Sequence, residues 1–209
     1  MNIFNSLSDL MTEALRFFFN ISGNWGIAII LLTIAVKLVL YPLTFQSTKQ
    51  MAGMQKLQPK IDELQKKHKE KPSEFQKEMF ELYKREGVHP LGGCLPMLLQ
   101  VPVFLALFFA VSKPEFKTIL EAAGTKAQFL WITNLAKPDP TQIMIVLIAL
   151  TTFWTSLSMP GGAKQQKSML YVMPGFIAVI SMSFPAGVQL YWVVQNLLTI
   201  AQQLYILRK

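Results

Sequence analysis

The sequence is poor in the residues that most enzymes and metal sites require. Among its 209 residues there is one cysteine, Cys94, which excludes a disulfide within the chain and a cysteine-based metal site. Only two histidines occur, His68 and His89, and both lie in a polar stretch where solvent exposure explains them. Neither a phosphate-binding loop nor a set of residues for nucleophilic catalysis is present. We therefore predict a protein that is not an enzyme and that uses no metal or cofactor.

Charge is also scarce. Only 15% of the residues are charged, against about a quarter in soluble domains, while 52% are apolar and the mean hydropathy is +0.35. The net charge of +8 does not indicate nucleic-acid binding, because the basic residues concentrate between apolar runs and no nucleic-acid motif accompanies them. Asp9, Glu13 and Arg16 interrupt the first twenty residues, which argues against a cleavable signal peptide. The composition predicts a small polytopic membrane protein.

Five apolar runs have the length of membrane-spanning helices. They lie at about 25–45, 95–112, 141–158, 168–184 and 186–207. The 46–90, 159–167 and C-terminal segments carry 14 Lys and Arg residues, whereas the segments on the other side carry five. Because positive charge accumulates in cytoplasmic loops, the N-terminus is predicted outside and the C-terminus in the cytoplasm.

The remaining segments have distinct patterns. Residues 1–22 are predicted to form an amphipathic helix on the outer face, and residues 23–209 a five-span core with an outer loop at 113–140. Residues 46–90 predict a cytoplasmic helical hairpin, in which Pro72 ends the first arm, Ser73 caps the second and Gly87 stops it. The hairpin is either a solvated spacer or a mobile arm that meets incoming chains or a targeting factor, and the sequence leaves both open.

Lys37 is the most informative residue, because it lies inside the first apolar run. A charged side chain at the centre of a membrane helix costs roughly 2.5–3.5 kcal/mol on insertion scales. Such a cation usually faces water or partners within a helix bundle rather than lipid. We predict that Lys37 forms the floor of a wet, cationic cavity.

The last apolar run has polar and amphipathic residues on one helical face, at positions 189, 192, 195, 196, 199, 202 and 203. Other runs add polar side chains, of which Thr33 shares a helix face with Lys37. The candidate groove residues are Lys37, Thr33, Gln100, Trp154, Ser156, Ser181, Gln189, Trp192, Gln195, Asn196 and Thr199. The alternative is that these polar groups only hold helices together, as such residues often do in membranes.

Short segments in a fixed order give the sequence a family resemblance along nearly its whole length. It resembles the YidC/Oxa/Alb family of membrane protein insertases. The segments that carry the resemblance are Asn24-Trp25-Gly26, Tyr41-Pro42-Leu43-Thr44, Leu57-Gln58-Pro59-Lys60-Ile61, Pro90-Leu91-Gly92-Gly93-Cys94-Leu95-Pro96, Gln100-Val101-Pro102-Val103-Phe104, Leu130-Trp131-Ile132, Asp139-Pro140, Met173-Pro174, Phe184-Pro185-Ala186-Gly187 and Leu190-Tyr191-Trp192.

The resemblance implies an all-α fold of five transmembrane helices around a hydrophilic groove, which is open to the cytoplasm and sideways to lipid. It places Lys37 at the position of a family arginine, and it matches Thr33 and Trp192 to substrate-contacting positions. The chain departs from the pattern of many relatives, because we expect no additional N-terminal span, no large outer domain and no long basic ribosome-binding tail, as in a short bacterial form. Unlike arginine, a dehydrated lysine can lose its charge, so the groove must stay wet.

The implied function is insertion of nascent membrane proteins into the bilayer of the bacterial plasma membrane, by drawing their short polar tails into the groove. The Sec translocon, the ribosome and signal recognition components are candidate partners of the 46–90 hairpin. Two other functions stay open. A small transporter or channel would usually show internal repeats, and we find none. A non-inserting assembly chaperone would only shield polar membrane segments.

Overall fold

The computed structural model describes residues 3–89, 95–158 and 167–207, and in these residues the chain is helical apart from its connections. This confirms the predicted all-α class. Part of the 90–96 segment, the 159–166 connection and the last two residues lie outside the described residues. The α-helices of the described part are α1 (Ile3–Ser22), α2 (Trp25–Val39), α3 (Tyr41–Lys67), α4 (Pro72–Arg85), α5 (Leu95–Ser112), α6 (Pro114–Ala122), α7 (Ile143–Ser158), α8 (Lys167–Ser181) and α9 (Ala186–Leu207).

A sharp turn joins α1 to α2, and the Asn24-Trp25-Gly26 segment forms it. Gly23 has a positive φ of 70°, and the Asn24 side chain accepts hydrogen bonds from the N–H groups of Gly26 and Ile27. Trp25 stacks on Phe19 with ring centroids 4.2 Å apart. A Cβ atom at Gly26 would lie 2.4 Å from the ring of Phe129, so the loop between α6 and α7 approaches the backbone closely there. The chain direction bends by 119° between the two helices.

The first predicted span is divided in the structure. Helix α2 ends at Val39, and α3 begins at Tyr41 with Pro42 in its first turn. Pro42 has no N–H and cannot donate to the carbonyl of Leu38, which would be its partner in a continuous helix. The apolar run from 25 to 45 is therefore one helix and the start of a second.

Helices α3 and α4 form the predicted hairpin, with a small core of its own made by Leu57, Ile61, Leu82 and Tyr83. Gly87, at a φ of 66°, follows the end of α4 as predicted. The predicted roles of Pro72 and Ser73 are wrong. Helix α3 already ends at Lys67, and Pro72 is the first residue of α4, where its missing N–H costs nothing. Ser73 consequently lies inside the first turn of α4 rather than at its cap.

Helix α9 is the centre of the bundle. It packs against α7, α2, α3 and α5, while α8 packs against α7 and α1 packs against α2 and α5. Its N-terminal half contributes Val188 and Tyr191 to the main core, where both are almost fully buried. This position decides what the polar residues of α9 can contact.

Membrane spans are only weakly indicated by helix length and composition. Within the described residues, no single helix is both long and apolar enough to cross a membrane. Two pairs of consecutive helices, each bent at the junction, reach that length and apolar character together, namely Asn5–Ser22 with Trp25–Val39 and Leu98–Ser112 with Pro114–Ala122.

Candidate functional site

Lys37 lies in the last turn of α2 and points toward α9. Its Nζ donates a hydrogen bond to Oγ1 of Thr199 at 2.8 Å, and its side chain is partly exposed. Among the residues that the structure describes, no Asp or Glu forms an ion pair with it. The partner of this ammonium is therefore a neutral hydroxyl, and no carboxylate of the described chain neutralises its charge.

A chain of hydrogen bonds links α9 to α5 one turn away. Nε2 of Gln195 donates to Oε1 of Gln100 at 2.7 Å, and Nε2 of Gln100 donates to the hydroxyl of Tyr191 at 2.5 Å. Tyr191 is only 2% exposed. The Oε1 atom of Gln195 is also buried, and it has no hydrogen-bond partner in the described part of the chain.

Two further side chains tie α9 to other helices. Nδ2 of Asn196 donates to Oγ1 of Thr151 at 3.0 Å and to Oγ1 of Thr152 at 2.9 Å, both on α7. Nε2 of Gln202 donates to Oγ1 of Thr44 on α3 at 2.9 Å. Gln195, Asn196, Thr199 and Gln202 thus bond to four different helices, which is how polar residues hold membrane helices together.

A cavity of about 440 Å³ lies between α5, α8 and α9. Its lining is mostly apolar, and it includes Phe104, Phe176 and Trp192 together with the polar side chains of Gln100, Gln195 and Asn196. The Trp192 ring meets Phe104 edge to face, with centroids 4.9 Å apart. Lys37 is not among the lining residues, but its partner Thr199 lies one helical turn beyond Gln195. The cavity and the partner of the ammonium are thus about one helical turn apart along α9.

The other candidate residues lie apart from this cavity. Thr33 is fully buried, and its hydroxyl donates to the carbonyl of Ile29 in its own helix at 2.6 Å. Gln189 and Ser181 are buried at the turn between α8 and α9, where Nε2 of Gln189 donates to the Ser181 carbonyl at 2.7 Å. Trp154 is 60% exposed on the surface of α7. Ser156 donates to the Thr152 carbonyl at 2.9 Å.

Sequence reasoning missed four residues of the polar contacts, namely Thr44, Thr151, Thr152 and Tyr191. Thr44 and Tyr191 belong to segments that carried the family resemblance, and Thr151-Thr152 interrupts an otherwise apolar run. The sequence thus shows these polar residues, but the spacing of residues along one helix does not identify their hydrogen-bond partners on another helix. The described residues contain no group of three or more His, Cys, Asp or Glu side chains with metal-binding geometry.

Comparison with known families gives a match over most of the chain. Residues 17–209 match the family model described as 60Kd inner membrane protein. The chain is 41% identical over 206 residues to the membrane protein insertase YidC of Geobacter sulfurreducens, with 98% of this chain and 38% of that protein covered. It is 46% identical over 192 residues to the YidC of Neisseria gonorrhoeae, with 90% of this chain and 34% of that protein covered.

A solved structure shares the fold. The crystal structure of an active YidC insertase with its first transmembrane domain resolved superposes with a TM-score of 0.73 at 26% identity, and the match covers 96% of this chain and 46% of that chain. The chain therefore spans between about a third and just under half of the length of the proteins that it matches.

Proposed function

Since the chain belongs to the YidC/Oxa1 family of inner membrane proteins, whose members are not enzymes, we propose that it inserts small membrane proteins into the bilayer without nucleotide hydrolysis. The observation that carries the proposal is Lys37, a partly buried ammonium without a carboxylate partner in the described chain. Its partner Thr199 lies one helical turn along α9 from the lining of an apolar cavity. The substrates are nascent membrane proteins with a short outer segment.

The proposed mechanism uses charge first and hydrophobicity second. Lys37 attracts an acidic residue of the substrate's polar tail part-way into the bundle, where a lower dielectric strengthens the attraction. Water in a groove open to the cytoplasm shortens the distance that the tail must cross in hydrocarbon. The apolar segment of the substrate passes the cavity beside Phe104, Phe176 and Trp192, and its burial in lipid favours release by about 25 cal/mol per Å² of apolar surface.

This mechanism requires a defined orientation in the bacterial plasma membrane. We propose five spans formed by α2 with the start of α3, and by α5, α7, α8 and α9, with the N-terminus outside. The support is the excess of Lys and Arg in the segments between 46 and 90, which puts the α3–α4 hairpin in the cytoplasm. Helix α1 then lies on the outer side, where its exposed apolar residues Leu10, Phe17 and Ile21 meet the membrane interface.

The hairpin is proposed to contact the Sec translocon, the ribosome or signal recognition components. Helix α4 exposes Phe80 between Lys77 and Lys84, and neither lysine forms an ion pair within the described residues. A photo-crosslinker at position 80 should capture one of these partners in a translating extract, whereas one at Glu70 in the hairpin turn serves as the control. Equal capture from both positions would contradict a contact through this face.

Variants of Lys37 test the charge role directly. Reconstituted vesicles would be supplied with a small single-span substrate that has an acidic outer tail. Lys37→Ala and Lys37→Glu should slow insertion by about tenfold or more, the effect of losing one contact to a charged group, while Lys37→Arg retains activity. Protease protection of the substrate tail measures insertion.

The control for these variants is Lys126→Ala, which removes an exposed lysine of the outer loop and should leave insertion unchanged. Immunoblotting of the vesicles checks that each variant is present in equal amount. Normal insertion by Lys37→Ala would refute the charge role. Ion flux through the vesicles without substrate would instead favour a channel.

A further inference from the structure

Thr199 makes a second hydrogen bond in addition to the one that it accepts from Lys37. The hydroxyl of Thr199 accepts from Nζ of Lys37 at 2.8 Å and donates to the carbonyl of Gln195 at 2.8 Å. A hydroxyl has one proton to donate, and here the proton goes to the backbone of α9. The oxygen is therefore left with lone pairs only, and these face the ammonium.

The geometry restricts both partners. Threonine adopts two χ1 rotamers in a helix, and the hydrogen bond to the carbonyl four residues earlier restricts this choice. The lysine side chain is long and flexible, and ordering it costs rotamer entropy. A fixed acceptor on the central helix offsets that cost and confines the ammonium to the α2–α9 contact, one turn from the cavity residue Gln195.

We infer that Thr199 is a positioning residue for Lys37, which holds the ammonium toward α9 and ready for an acidic substrate tail. This inference rests on the insertase function proposed above. The ammonium has three N–H groups, and Thr199 accepts from one of them. The other two leave room for a substrate carboxylate, so positioning by Thr199 and capture of the tail do not compete.

The test compares two substitutions at position 199 in reconstituted vesicles. Thr199→Val keeps the shape of the side chain and removes the hydroxyl, whereas Thr199→Ser keeps the hydroxyl. The valine variant should insert an acidic-tailed single-span substrate about tenfold more slowly, as for one lost hydrogen bond to a charged group, and the serine variant should restore most of the rate. If valine prevents accumulation of the protein, Thr199→Ala makes the same removal with less bulk.

Two readouts separate positioning from a merely structural role. The first is the same substrate with its acidic residue changed to the matching amide, which should be inserted equally well by wild type and Thr199→Val. The second is the double variant with Lys37→Ala, in which the valine substitution should have no further effect. Thr155→Val is the matched control, because Thr155 makes the same backbone hydrogen bond, to the carbonyl of Thr151, and has no lysine partner within the described residues.

Each outcome decides the inference. Equal losses for acidic and amide tails, or a further loss in the Lys37→Ala background, would show that Thr199 acts only on folding. Normal insertion by Thr199→Val together with a loss in Lys37→Ala would overturn positioning and leave the insertase function intact. Failure of the wild type to insert any substrate would overturn the proposed function and this inference with it.

Discussion

At the scale of single residues, the short segments that carried the family resemblance have identifiable physical tasks. Asn24 caps α2, Trp25 stacks on Phe19, and Gly26 leaves space for the ring of Phe129. Each task tolerates few other side chains. The sequence pointed to these positions through the family resemblance alone, because the contact between Gly26 and Phe129 joins residues that are far apart in the chain.

Asp139 is the clearest residue of this kind outside the bundle. Its carboxylate accepts hydrogen bonds from the N–H groups of Thr141 and Met144, from the Thr141 hydroxyl and from Nε1 of Trp131. Burial by itself would raise the pKa of the Asp139 carboxyl, but these hydrogen bonds outweigh burial and hold the pKa below its ordinary value of 3.8. Asp139 thus joins the loop between α6 and α7 to the start of α7.

We predict that Asp139→Ala lowers the free energy of unfolding by about 2–3 kcal/mol, because buried donors lose their acceptor. Since the folded pKa lies below the unfolded one, the stabilisation is complete above the unfolded pKa and is lost as the pH falls through the folded pKa. Thermal unfolding in detergent at neutral and acid pH measures both effects. Glu115→Gln, at an exposed carboxylate of α6, is the control, and an equal change in that variant would contradict a specific role for Asp139.

At the scale of elements, the apolar patterns predicted the helices correctly where a helix packs against a single partner. The two arms of the hairpin were predicted from their stripes, because a two-helix contact uses one face of each helix. The break at Leu40 was not predicted, since the apolar run continues through it. The start of α4 was misplaced because proline both ends helices and begins them, and the sequence alone did not decide between these roles.

Ion pairs between the two arms of the hairpin make its stability depend on pH. The hydrogen bond from Lys60 lowers the pKa of Glu86. For Glu78, desolvation acts upward on the pKa, but hydrogen bonds and charge from His68 and Lys67 lower it overall. Both carboxylates therefore stabilise the hairpin at neutral pH, and this stabilisation is lost as the pH falls from the ordinary value of 4.5 through the folded pKa values.

We predict faster amide hydrogen exchange in α4 below about pH 4.5 than the intrinsic pH dependence explains, with little change in α9. Glu86→Gln should remove part of this acid sensitivity, and Glu81→Gln, at an exposed carboxylate without an ion pair in the described residues, should not. Unchanged protection of α4 across this pH range would contradict the prediction.

At the scale of the whole molecule, the proposed orientation depends on charge rather than on any single contact. We predict that a cysteine replacing Lys126 in the outer loop reacts with a membrane-impermeant maleimide in intact cells. A cysteine replacing Lys69 in the hairpin should react only after permeabilisation, because the excess of basic residues keeps that segment in the cytoplasm. Both variants would be made in a Cys94→Ser background. The reverse labelling pattern would refute the orientation and the cytoplasmic opening of the groove together.

The sequence by itself determined the helical class, most helix positions and the family, and it predicted a role for Lys37. The class and the helix positions follow from apolar periodicity and local capping, which are properties of neighbouring positions along the chain. The family follows from the resemblance of short segments in a fixed order, and the prediction for Lys37 from an ionisable residue in an apolar run. Only the tertiary structure decided that Thr199 is the partner of Lys37, and that Gln195, Asn196 and Gln202 each meet a different helix. The physical reason is that α9 is surrounded on several sides, so residues spaced closely on one helix face encounter side chains from distant parts of the chain.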